Sequence, residues 1–319
     1  MTDVVIVGAG MAGIACARAL KAAGVPVRLI DKGRGIGGRV ATRRVDIAGD
    51  VISFDHGTQY LDTSDAAAHI AAQAKDATAR WDMGGGKSRI VGTPGMSALP
   101  KALAQGLDVT LDTRVISVDA RTGGWHIQTD AGEDDASHLV ITVPVPQLAP
   151  LLGERHPLID RVKAARMLPI MTLMAAFDGD TPAPFVTRRD ETADLTWIAR
   201  NDLKPGRSTR YQTWIAQAHP DWSARHIDQE RDKIKARMAG MLCAALDVDV
   251  GNVRHVGLQG WRYGLVQTPI GQPFVSDGTL WAGGDWCLGG KVQDAWQSGT
   301  AIASDILQQL GLPAERPGG

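Results

Sequence analysis

Three glycines near the amino end, Gly8, Gly10 and Gly13, stand in GxGxxG spacing between an apolar run and an alanine-rich one. Each has a separate task at a doubly phosphorylated ligand: Gly8 permits a tight turn, Gly10 lets the backbone approach a pyrophosphate, and Gly13 allows close helix–strand packing. Free amides at the start of the following helix, at Met11 and Ala12, would meet the phosphate charge. Asp31, 18 positions after Gly13, places a carboxylate where it can accept from ribose hydroxyls. Lys32 beside it joins the same set of candidate contacts. The spacing alone also occurs in turns that bind no ligand, so the context matters: this one follows a strand and opens a helix.

A second glycine segment comes directly after, in RGIGGR. Gly37 and Gly38 allow another close backbone approach, and Arg39 supplies a forked cation suited to a pyrophosphate. A third closes the chain, in TLWAGGDWCLGGKVQDAWQSG, with Gly284 and Asp285 after a short strand and Lys291 and Val292 opening a long helix. A helix amino end carries partial positive charge, which favours an electron-rich ligand beside it. The competing reading of this last segment is a plain terminal helix behind a glycine loop.

These residues need elements to hold them. The spacing predicts strands over 4–7 and 27–30 with a helix between, three strands between 109 and 143, an exposed helix over 64–80 and a flexible turn at Gly84–Gly86. Further on, MTLMAAF, LTWIAR and RYQTWIAQA read as strands, followed by a helix from Ala224 to Leu246 with Ile227, Ile234, Met238, Met241, Leu242 and Leu246 on one face. The expected class is α/β, a doubly wound, Rossmann-like dinucleotide-binding domain with an inserted mixed-sheet α+β substrate domain. The expected boundaries are 1–60, 85–148 and 270–319 for the cofactor domain, and 61–84 and 149–269 for the substrate domain. The tail from Leu312, rich in proline and glycine, reads as frayed.

Composition narrows the function classes. At 319 residues with 44% hydrophobic content the chain can fill two cores, and a net charge of −1 gives no field that would select nucleic acid or a membrane surface. Cys16, Cys243 and Cys287 form no CxxC and no metal spacing, which fits a reducing compartment and no metal site. Glycines and Arg18 interrupt the apolar stretch from Val4 to Leu20, which argues against a membrane span, and no charged leader precedes it. The expectation is a soluble cytoplasmic protein.

In the middle of the chain several residues have a chemical reading and a plainer one. Gln59 and Tyr60 follow a glycine and are candidates for ligand contact, or simply a turn amide and a packed ring. His56 is more often a satisfied structural histidine. Trp197, Trp214, Trp261 and Tyr263 can wall a flat aromatic substrate by stacking, although most tryptophans are core. Trp286 is the better placed by its motif. Arg188, Arg189, Arg200, Lys204, Arg207 and Arg210 concentrate cations that either face solvent or hold phosphates. Asn201 among them can pair with a carboxamide. Cys287 reads as a small buried thiol.

Assembled, these motifs resemble the flavin amine oxidase superfamily and, within it, the bacterial renalases. The resemblance rests on DKGRGIGGR, on DHGTQY from Asp55 to Tyr60, on GTPGMSALPKAL from Gly92 to Leu103, on WRYG from Trp261 to Gly264 and on GGDWCLGGKVQDAW from Gly283 to Trp296. Asp31 stands where glutamate is more usual and Lys291 where arginine is common. The resemblance implies non-covalent FAD held by all three glycine segments, with His56 and Gly57 near the ring and backbone at Val115 offered to adenine. It also implies oxidation of misreduced pyridine nucleotides, the 2- and 6-dihydro isomers of NAD(P)H, by hydride transfer to flavin N5 and then electron transfer to O2, giving H2O2. Gln59, Tyr60 and Trp286 are then the catalytic candidates, with Trp197, Asn201, Trp214 and Tyr263 facing substrate. A dihydropyridine is already a hydride donor and needs orientation more than a strong base, in keeping with the lack of a nucleophile and base pair. Two alternatives stay open: a flavin amine oxidase of another CH–NH donor, and a flavin-binding redox sensor without turnover.

Overall fold

The computed structural model describes residues 3–313. Leu312 and Pro313 of the tail read as frayed are among them; the rest of it lies outside the described residues. The chain divides into two compact units, one made of 1–38, 100–167 and 266–319, the other of 39–99 and 168–265.

In the first unit a six-stranded sheet runs Phe274–Asp277, Leu280–Gly283, His138–Ile141, Val4–Val7, Val27–Ile30, Asp108–Thr110 across its width. Val4–Val7 pairs in parallel with both neighbours, so its side chains are covered on both faces and the run is apolar throughout rather than alternating. Helix Met11–Ala22 covers one face with Cys16, Ala17 and Leu20, joined there by Ile302, Ala303 and Ile306 of helix Val292–Gln309. The other face carries a second core that includes Trp125, Ile127, Leu148 and Trp286. A three-stranded sheet, Glu133–Ala136, Gly124–Thr129, Val115–Arg121, completes the unit. Its acidic edge strand, EDDA, lacks apolar alternation and was not legible as a strand in the sequence.

The second unit is built on a five-stranded sheet in the order Thr187–Arg189, Leu195–Arg200, Gln212–Ala218, Arg166–Phe177, Val253–Thr268. One face packs Leu173, Ala175, Ile198, Trp214 and Ala216 under helix Arg231–Leu246, which buries Ile234, Met238, Leu242 and Leu246. Each such side chain contributes roughly 1.5–3 kcal/mol. The expected helix over 224–246 is two helices, Pro220–His226 and Arg231–Leu246. Proline at the first helical position and the His219 ring accepting from Asp221 N–H start the chain's turn into helix early. Asp228, Gln229 and Glu230 then interrupt it, Glu230 sitting extended as the cap of the second helix.

The hairpin Thr42–Ile47 and Asp50–Asp55 puts Ile47, Ile52 and Phe54 against Met174, Ala176 and Ile215 of this sheet. That packing is why 39–60 falls in the second unit here, whereas the motif-based boundary kept it with the cofactor domain. The exposed helix expected over 64–80 ends at Ala72, with Ala67, Ile70 and Ala71 buried, and gives way to the strand Thr78–Asp82. Gly84, Gly85 and Gly86 turn the chain with positive φ into Ser88–Gly92. Among the described residues no helix is long and apolar enough to cross a membrane.

Candidate functional site

In the first unit the glycine turn takes the geometry its spacing requires. Gly8 has φ +112° and its N–H donates to Ile30 O at 2.8 Å, closing the turn against the neighbouring strand. A Cβ on Gly13 would lie 2.0 Å from Gly8 O, so the helix can approach the strand only with glycine there. Gly10 is the amino cap of helix Met11–Ala22 without any side-chain cap, and a Cβ on it would meet no atom within 4 Å. The helix end therefore keeps amides for an anion in front of open space.

The second glycine segment returns to the same place. Gly37 N–H donates to Ala9 O at 2.9 Å, and a Cβ on Gly38, whose φ is +56°, would stand 3.5 Å from Gly10 Cα. Asp31 receives Ala9 N–H on one oxygen and Gly33 N–H on the other, both at 2.6 Å, so its carboxylate orders the turn as well as bordering it. Lys32 reaches Gln147 Oε1 at 3.0 Å; burial, and then Arg114, hold its pKa below the usual lysine value. Val115 opens its strand at an irregular pairing with Thr129 and is buried.

The third segment meets the first through helix packing. A Cβ on Gly299 would fall 2.0 Å from Ala12 O, so helices Met11–Ala22 and Val292–Gln309 touch backbone to backbone. Gly284, with φ +155°, donates its N–H to Ser298 Oγ at 2.9 Å, and Trp286 N–H donates to Asp285 Oδ1 at 3.0 Å. Lys291 is exposed at the cap of the last helix, where its N–H donates to Asp294, and Val292 is buried in the first turn. Trp286 is fully buried, its Nε1 donating to Val143 O at 3.0 Å; it is packed in the core. Cys287 is buried likewise, and desolvation pushes its thiol pKa up to about 12. An open cap, two glycine approaches and a glycine helix contact within one unit fit an extended ligand with two phosphates.

In the second unit the DHGTQY stretch is pinned from several sides. A Cβ on Gly57 would lie 2.0 Å from Arg39 O, and Gln217 Nε2 donates to Gly57 O at 3.0 Å. The Arg39 guanidinium donates to Gly264 O. His56 stacks on Trp261 with centroids 5.3 Å apart, and Trp261 Nε1 donates to His56 O. Burial, and then Arg43, drop the His56 pKa to about 4, so the ring is neutral at ordinary pH. Its Nδ1 is buried without a partner. Gln59 donates to Asp55 O and Gly57 O while Lys204 Nζ donates to its Oε1, so the amide holds the loop itself.

Asn201, expected to face substrate, is fully buried and satisfied within the unit: Asp55 N–H donates to its Oδ1 and its Nδ2 donates to Ser53 O. Trp214 is in the core, bonded to Gln212 Oε1. Tyr60 and Trp197 do come together, at 5.7 Å, and Tyr263 is half-buried on the strand Val253–Thr268.

The cation run is engaged internally. Arg200 forks onto Asp202, Arg189 pairs with Glu191 and Arg210 with Asp50, and Arg188 donates to Ala245 O. Lys204 and Arg207 both close on Asp55, and all three side chains are essentially inaccessible. Burial would raise the Asp55 pKa, but the two cations pull it to about 2; desolvation in turn lowers Lys204 to about 8. Asp55 Oδ1 also accepts from Thr42 Oγ1 and Met96 N–H. This knot was not legible beforehand, because its acid and its bases are some 150 positions apart, as the 149 separating Asp55 from Lys204 shows.

Comparisons with known proteins bear on the same geometry. A family model described as flavin containing amine oxidoreductase matches residues 69–307, and one described as an NAD(P)-binding Rossmann-like domain matches 6–76. Cyclohexylamine oxidase from Brevibacterium oxydans IH-35A is similar at 12% identity over 97% of this chain and 99% of that one, with a TM-score of 0.76. A protein from Exiguobacterium sp. 255-15 put forward as a protoporphyrinogen oxidase has the same identity, coverage and TM-score. Wild-type putrescine oxidase bound to putrescine is 14% identical over 96% of this chain and 99% of that one, at 0.71. At such identities the likeness to solved structures establishes the fold.

Proposed function

Because the chain belongs to the flavin containing amine oxidoreductase family, we propose that this FAD-dependent oxidoreductase oxidises isomeric dihydronicotinamides, the 2- and 6-dihydro forms of NAD(P), as the renalases do. Bound FAD supplies the two-electron acceptor and returns the electrons to dioxygen, yielding hydrogen peroxide. In this reading the first unit holds the cofactor without a covalent link, consistent with the buried Cys287 thiol, and the second unit receives the substrate.

The observation that carries the choice of donor is the state of Asp55. An amine reaches an enzyme as an ammonium ion, and a carboxylate is its natural partner. Asp55, next to the Gly57–Tyr60 stretch, is closed by Lys204 and Arg207 and inaccessible, while the stretch itself presents His56 in its neutral form with Trp261 stacked on it. An uncharged imidazole stacked on an indole suits a flat dihydropyridine, which needs positioning and no proton removal. The amine alternative draws its support from the family description and from the amine oxidases among the solved structures.

Mixing the protein anaerobically with borohydride-generated NADH isomers, with ordinary 4-dihydro NADH and with an amine panel separates the readings. The expected result is rapid bleaching of the flavin band by the isomers alone. Equal, slow rates for every isomer, or bleaching by an amine, would sink the proposal. Peroxide formation with any donor excludes a sensor without turnover.

A further inference from the structure

We propose that Arg89, lying over Tyr60, is an anion subsite that holds the diphosphate of a dinucleotide substrate. This rests on the reading of the Gly57–Tyr60 stretch as substrate-facing. A dinucleotide carries two phosphate charges, and the cation run at 188–210, the obvious source of partners, is already committed to carboxylates and carbonyls of its own unit.

Arg89 is different. It is half-buried on the strand Ser88–Gly92, its Nη1 donates only to the neighbouring Ser88 O, and its Nε is buried without a partner. Among the described residues no carboxylate pairs with it. The antiparallel bridge between Leu61 and Ile90 brings this strand beside Tyr60, and the guanidinium carbon then sits 5.5 Å from the Tyr60 ring centroid.

The contact continues beyond Tyr60. Its ring lies 5.7 Å from that of Trp197, whose indole Nε1–H is also buried and unpartnered, and Arg189 lies 5.9 Å over the far ring. Two aromatic rings are thus bracketed by two guanidinium groups. A half-buried guanidinium with unused donors is the residue type that forks onto phosphate oxygens, and the rings beneath keep its plane fixed. The chemistry matches a diphosphate joined to flat rings better than a small neutral heterocycle.

The test uses the FAD-loaded enzyme and ADP-ribose, which carries the diphosphate but no reducible ring. Wild type is expected to bind ADP-ribose with an affinity that falls as salt rises, and Arg89→Gln to bind it about tenfold or more weakly. The KM for dinucleotide isomers should rise by a similar factor while kcat moves less. Arg89→Lys, which keeps the charge, should recover part of both effects. Thermal melting and the flavin spectrum establish that the variants are folded. Equal ADP-ribose affinities for wild type and Arg89→Gln, or no binding to wild type, would overturn the subsite. If wild type fails to oxidise the isomers, the proposed function falls while the ADP-ribose result still decides the subsite; turnover with an unaltered KM in Arg89→Gln removes the subsite and leaves that function standing.

Discussion

Asp55 faces two cations in a place that water does not reach, so the knot carries an excess of positive charge. Removing the carboxylate and removing Lys204 should therefore differ sharply. Asp55→Asn leaves two buried cations opposed and forfeits the charged partner of Thr42 and Met96, and should cost about 3 kcal/mol or more in denaturant melts. Lys204→Met leaves a one-to-one Asp55–Arg207 pair and should cost clearly less. A pH series sharpens the comparison. Desolvation holds the folded pKa of Lys204 to about 8, below the ordinary lysine value of 10.5, so between these values the unfolded chain binds more protons and stability rises with pH. Wild type should accordingly gain on Lys204→Met from pH 8 upward; a constant gap would mean that Lys204 binds its proton equally in the folded and unfolded chain over that range, its pKa not lowered by folding. Asp55 works in the acid range: its folded pKa of about 2 gives stability above 3.8 that is lost as pH falls toward 2. Residues of this kind were only half legible. The sequence singled out the DHGTQY stretch and the cation run, but the pairing of Asp55 with Lys204, or of Arg89 with Tyr60, depends on strand contacts that no local spacing records.

Among the elements, the two helices that meet through Gly299 and Ala12 give the sharpest expectation. Gly299→Ala would drive a methyl into the Ala12 carbonyl and should cost about 1–3 kcal/mol and weaken FAD retention, read by melting temperature and by the flavin-to-protein absorbance ratio. Gly240→Ala in helix Arg231–Leu246 is the control, since a Cβ there meets no atom within 4 Å and the helix should gain about 0.5–1 kcal/mol. If both substitutions behave alike, the close helix contact is not a constraint. The elements around the three glycine segments were readable because each is set by local requirements: positive φ, an open cap, a covered parallel strand. The acidic edge strand Glu133–Ala136 and the break at 227–230 were not, because charge at an edge and side-chain competition at a cap leave no hydrophobic period.

For the whole molecule, the three thiols report on both units. Cys16 and Cys287 are buried in the first and Cys243 in the second, and burial raises the pKa of each. In native buffer an aromatic disulfide reagent should label fewer than one thiol per chain, and in guanidinium all three. Prompt labelling of a native thiol would show that one of the cores opens readily.

The order of strands in the six-stranded sheet has a consequence for how the chain is made. Val4–Val7 is made well before one of its two parallel neighbours, His138–Ile141, which follows more than a hundred residues later, and the helix laid against Ala12 comes later still. The segment holding Val4–Val7 must therefore wait, one edge of its apolar strand unpaired, until His138–Ile141 is made. Chaperone demand during translation is built into this topology, and premature termination before Val292 would release a chain whose opening helix has lost its glycine-packed partner.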